Sequence, residues 1–161
     1  MGIWRVILAA LVLMGCNAGA PSGSPRAVAE TVVGAFDTGD VARFMSVLPS
    51  EDQLGAAFDC GRADTLRAAL RRRLDDIQSE FEARRMANFR MRLLAFDLDG
   101  SETSALGSGD VYQGCTVRAP VTVHRSRVSL SRKRGGRNDD STDTWTFLRF
   151  EPEGPWYYGK F

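Results

Sequence analysis

The sequence predicts an α+β fold: N-terminal helices packed on a curved antiparallel sheet of about four to five strands. Three observations predict it. Apolar residues recur at helical spacing through position 87 and at alternate positions beyond it. The second half carries short turn signals, Gly135-Gly136 and Glu151-Pro152-Glu153-Gly154, which connect neighbouring antiparallel strands. The helical segments come first in the chain and the extended runs follow.

The chain opens on a single positive charge, Arg5, and an unbroken apolar run over residues 6–14. That run falls well short of the ~20 residues that span a bilayer as a helix. A charged start, an apolar run of this length and a small residue before a cut are the parts of a secretory signal. The run closes on Leu13-Met14-Gly15-Cys16. This box resembles the cleavage and lipidation site of bacterial lipoproteins. The resemblance implies a signal peptide over 1–15 and a lipid-modified Cys16 as the first mature residue. It places the rest outside the cytoplasm, in the periplasm or on the outer membrane, with the membrane as a partner through that lipid. Residues 16–25 are small, Gly- and Pro-rich and lack large apolar groups, so they read as a flexible tether reaching roughly 30 Å. A single domain over 26–161 follows.

A net charge of +1 gives no general attraction to nucleic acid, and export removes that partner further. With Cys16 assigned to lipid, Cys60 and Cys115 remain as a pair of thiols in an oxidising compartment. A disulfide between them is expected. Two distant cysteines and one histidine have no metal-ligand spacing, and no cofactor motif is present.

The first helix is predicted over 26–37, with Val28, Val32 and Phe36 on one face behind Pro25. Thr38-Gly39 breaks it. Asp40 caps a second helix in which Val41, Phe44, Met45 and Leu48 share a face, and Pro49 stops it. Ser50 caps a brief third turn through Leu54 and Phe58. The longest helix is predicted from Asp64 to about Ala87, with Leu66, Leu70, Leu74, Ile77 and Phe81 as its buried stripe. Its other faces are charged. Arg71/Asp75, Arg72/Asp76 and Glu80/Arg84 have pairing spacing, worth a few tenths of a kcal/mol each.

A strand over 89–99 is apolar on both faces, which predicts cover on both sides. A polar Gly/Ser-rich loop is expected from 100 to 110, then a strand over 111–117 carrying Cys115. The run 120–134 has Val121 and Val123 on one face and Val128 and Leu130 on the other, so a β-bulge or bend is expected between His124 and Arg127. Strands over 141–150 and 155–161 complete the sheet.

The opening helix at 27–36, the Thr38-Gly39-Asp40 break, the helix ending at Leu48-Pro49 and the closing hairpin at 145–158 resemble the nuclear transport factor 2-like superfamily. The resemblance covers 25–161 and is one of pattern. It implies a cone-shaped α+β domain whose sheet and helices enclose a pocket. Some members are ketosteroid isomerases, dehydratases or polyketide cyclases with Asp, His and Tyr in that pocket, and others only bind ligands or proteins.

Three functional readings follow. A non-catalytic binding domain for an envelope protein or a small apolar ligand leads, because no catalytic constellation accompanies the lipidation box. A pocket enzyme would use His124 with Asp97 as an acid-base couple and Tyr112 in the lining. A basic module would use Arg125, Arg127, Arg132, Lys133 and Arg134, a stretch without acidic residues, against anionic lipid or an acidic partner. Folding about Gly135-Gly136 sets Arg132 opposite Asp139 and neutralises part of that charge.

Overall fold

A computed structural model describes residues 23–160. The expected signal peptide, Cys16 and most of the expected tether lie outside these residues.

The first helix, α1 (Pro25–Thr38), begins where Ser24 Oγ accepts the Ala27 N–H and Pro25 occupies the first turn. Ser24 and Pro25, expected in the tether, therefore belong to the helix start. Gly39 ends α1 at a left-handed φ of 75°, where a side chain would be strained. Val28, Ala29, Val32, Val33 and Phe36 are buried beneath it.

Asp40 caps α2 (Val41–Met45) by accepting the Arg43 N–H. Phe44 and Leu48 are buried, but Met45 is 46% exposed, against expectation. The helix stops at Met45, so the 3.6-residue spacing does not carry through to Leu48. In α3 (Glu51–Ala57), Ser50 and Gln53 form a reciprocal capping box. A short 3₁₀ turn leads into α4 (Thr65–Met86), which buries Leu66, Leu70, Ile77 and Phe81, with Leu74 partly covered. Of the expected pairs on α4, Glu80/Arg84 forms at 2.6 Å, and Arg73 joins the same carboxylate. Arg71 instead reaches across to Glu51 of α3. A contact that ties two helices thus replaces one along a single helix.

Two sheets form. The larger has the order β2-β5-β6-β7, antiparallel throughout: β2 (Arg90–Leu106), β5 (Val121–Arg134), β6 (Arg137–Arg149) and β7 (Tyr157–Tyr158). The smaller has the order β1-β4-β3: β1 (Phe58–Asp59), β4 (Cys115–Val117) and β3 (Val111–Tyr112). The expected strand over 111–117 is a tight hairpin. Gln113 and Gly114 both take positive φ, as a two-residue turn of this kind requires. Gly135 and Gly136 do the same between β5 and β6, which close on the Arg134–Arg137 pair.

Three expectations about the strands are corrected. The polar stretch expected as a loop from 100 to 110 is largely strand, because residues 102–106 pair with 121–125. Its Ser and Thr side chains suit an edge strand without forming a hydrophobic pattern. The apolar residues on both faces of β2 reflect a bulge. Leu93 pairs with Leu130 and Phe96 with Val128, so the extra residue Leu94 turns Phe96 onto the same face as Leu93. Leu94 and Leu98 are 55% and 65% exposed, so that stretch has no cover on its second side. Finally, β5 has no bulge between His124 and Arg127, since its register with β6 is unbroken. The extra residues sit opposite, on β2 between Asp97 and Glu102.

Even-numbered positions of β5 face the helices, and Val128 and Leu130 are fully buried there. This inner layer holds Phe36, Phe44, Phe81, Trp145, Phe147 and Tyr158 in contiguous ring contacts. Burial pushes the Tyr158 hydroxyl up to about 12. Odd positions face outward. At one end Val121 and Val123 are buried beside the small sheet, where Phe58 stacks on Tyr112 and meets Phe150 edge-on, and Phe150 in turn contacts Tyr157. Cys60 and Cys115 form a disulfide that locks β1 to β4.

Candidate functional site

The structure does not bring His124, Asp97 and Tyr112 together. His124 lies on the inner face of β5, 7% exposed, among Phe96, Phe147 and Trp156. Its Nδ1 is 2.8 Å from Thr103 Oγ1, the residue directly across on β2. Its Nε2 is buried without a hydrogen-bond partner. Burial holds the imidazole below its ordinary titration range, so it is neutral at pH 7.

Asp97 pairs with Arg127 and so shares the outer face, opposite to His124. Its Oδ1 accepts the backbone N–H groups of Asp99 and Gly100, and its carbonyl accepts the Ser126 hydroxyl. The carboxylate closes the β2 bulge as a turn residue. Tyr112 belongs to β3 of the small sheet and lines, with Val123 and Arg125, a crevice of about 160 Å³ on the outer face. Burial raises its hydroxyl above the usual range, and Gln113 donates to it.

The buried imidazole sets one pH dependence. The protein has one histidine, so no other side chain has an ordinary titration range between pH 5 and 7. Unfolded His124 takes up a proton near 6.5, while the folded form resists it. His124 therefore supports stability fully above that pH, and the support is lost as pH falls from 6.5 toward the lower folded value. Urea midpoints should drop between pH 7.5 and 5.5 for the wild type and stay level for His124→Leu. An equal drop in both would show that the histidine does not govern it.

The five residues of the basic stretch divide between the two faces because side chains alternate along β5. Arg125, Arg127 and Lys133 face outward. Arg132 and Arg134 face the helices. Arg132 does lie opposite Asp139 in register, but its ion pair is with Asp143, further along the same face of β6, at 2.7 Å. Arg134 lies near Glu80 and Arg84 of α4. Arg125 approaches Glu102 at 3.8 Å. A single basic patch of these five residues is therefore not formed.

The register assembles a different group. Arg90 lies directly opposite Lys133, and Arg92 opposite Ser131. With Asn138 of β6 and Asp37 at the end of α1, they line an open concavity of about 410 Å³ on the outer face. Asp37 Oδ1 accepts the Met91 N–H, and its carbonyl accepts from the Arg90 guanidinium. Among the described residues, Arg90, Arg92 and Lys133 form no ion pair. Arg90 and Arg92 were not singled out from sequence. The signal was there in the alternation Arg90-Met91-Arg92, with the apolar residue turned inward.

Among the described residues, no group of three His, Cys, Asp or Glu could hold a metal ion, and no helix is long and apolar enough to cross a membrane. The Cys60–Cys115 bond points to a compartment outside the reducing cytosol. The chain matches no protein-family model, and no curated protein or solved structure is significantly similar to it.

Proposed function

We propose that this chain is a lipid-anchored lipoprotein of the bacterial envelope whose folded domain binds a ligand or partner without catalysing a reaction. The observation that carries the binding reading is the distribution of chemistry. His124 and Asp97 lie on opposite faces of the sheet, whereas Arg90, Arg92 and Lys133, in no ion pair among the described residues, converge on one polar concavity. Dispersed titratable groups do not make an acid-base couple, and convergent donors make a receptor. The ligand is polar rather than apolar, because charged and amide or hydroxyl groups line that concavity. The inner face, where an apolar ligand would sit, is filled by packed aromatic rings.

The anchor rests on Leu13-Met14-Gly15-Cys16 and is supported by the disulfide, which requires oxidising surroundings. Helices layered on one face of a curved antiparallel sheet support placing the domain in the nuclear transport factor 2-like superfamily. More than one acyl chain on Cys16 gives stable membrane attachment. In bacterial cells expressing the full chain, the wild type should therefore fractionate with membranes and incorporate a labelled fatty acid. Cys16→Ser should incorporate none. Equal labelling of the two would refute the anchor.

A further inference from the structure

We infer that the outer-face concavity is a binding site for a phosphoester: a phosphate group with a small organic substituent. The inference rests on the outer face being the binding surface and goes further by naming the chemistry of the ligand.

Arg90 and Lys133 are directly opposite each other on adjacent strands. Like charges in that position oppose strand pairing, so the sequence keeps an arrangement that stability alone would disfavour. Arg92, two residues along β2, adds a third cation on the same face. The one carboxylate in the lining, Asp37, already accepts a backbone N–H from Met91. The lining is otherwise rich in donors: two guanidinium groups, an ammonium, the Ser131 hydroxyl and the Asn138 amide.

Guanidinium forks bind tetrahedral and planar oxyanions through paired N–H donors, and a lysine adds a point charge. Three cations against one carboxylate leave the lining net positive, which suits a phosphate group whether it is a monoester or a diester. A volume of about 410 Å³ exceeds what a bare phosphate fills and falls within the range of small-molecule sites. The excess space holds the substituent. Two sources present this chemistry: a soluble phosphoester, or the headgroup of a phospholipid beside the anchored domain.

The test uses the full chain in micelles of a neutral detergent, read by the amide shifts of Ser131 and Asn138. In one arm sn-glycerol 3-phosphate is titrated at low salt. In the other, phosphatidylglycerol is mixed into the micelle. Saturable shifts with glycerol 3-phosphate at about a millimolar or tighter, weakened by salt, support a soluble phosphoester. Saturable shifts with phosphatidylglycerol at concentrations where glycerol 3-phosphate produces none support a headgroup. Arg92→Ala and Lys133→Ala should each weaken binding by roughly tenfold or more, as loss of a charge-assisted hydrogen bond does. Arg72→Ala, on the exposed face of α4, should change nothing. No saturable shift with either probe overturns the inference, as does binding that Arg92→Ala and Lys133→Ala leave intact. If Cys16 is acylated and the phosphate probes fail, the anchor stands and the ligand class falls. If the probes bind and Cys16 carries no lipid, the reverse holds.

Discussion

Replacing Cys60 and Cys115 together by serine should lower the free energy of unfolding by about 4 kcal/mol, from the loop of 55 residues that the bond closes in the unfolded chain. Most single domains are stable by only ~5–15 kcal/mol, so this loss is a large share of the total. The bond sits where local structure is thinnest. The strands it joins, β1 and β4, are two and three residues long. Without it, amide exchange should accelerate first in the small sheet and in the 3₁₀ turn after Cys60, before the larger sheet opens. Urea unfolding with and without reductant gives the magnitude, and exchange gives the order. A loss below about 1 kcal/mol would mean that the chain is not held by this crosslink.

The second large effect is expected at Phe147. Its side chain is fully buried in the inner layer, with ring centroids of Phe96, His124, Trp145 and Tyr158 between 5.8 and 6.5 Å away. Phe147→Ala removes a ring that these neighbours cannot close over, because each is fixed on its own strand. The cost should be about 3–5 kcal/mol. Phe147→Leu, which fills more of the space, should cost clearly less. Denaturant midpoints measure both. Equal effects of the two substitutions would contradict a tightly packed aromatic layer.

The helical half was legible in the sequence because its signals are local. Asp40 and Ser50 act as caps, and Gly39 stops α1, all within a few residues of the structure they fix, whereas the cap at Ser24 was hidden in a stretch that reads as tether. The sheet was less legible because its register is not local. A bulge at Leu94 reverses the face of Phe96, and nothing in the alternation distinguishes that bulge from a strand covered on both sides. The stretch 100–106 reads as a loop from composition, yet pairing with β5 makes it strand. The same gap explains the site. The cation-rich run after Arg125 was visible, but alternation sends Arg132 and Arg134 to the other face. The true neighbours of Lys133 are Arg90 and Arg92, some forty residues away in the chain. Cys60 and Cys115 could be paired from sequence only because Cys16 was assigned elsewhere.

The proposed anchor depends on that assignment, and the observed Cys60–Cys115 bond agrees with it. The most direct test is the intact mass of the full chain expressed in bacteria and extracted from membranes without reductant. The expected mass is that of a chain beginning at Cys16, carrying more than one acyl group and lacking two hydrogens for the Cys60–Cys115 bond. A mass that retains residues 1–15, or two titratable thiols at Cys60 and Cys115, would contradict it.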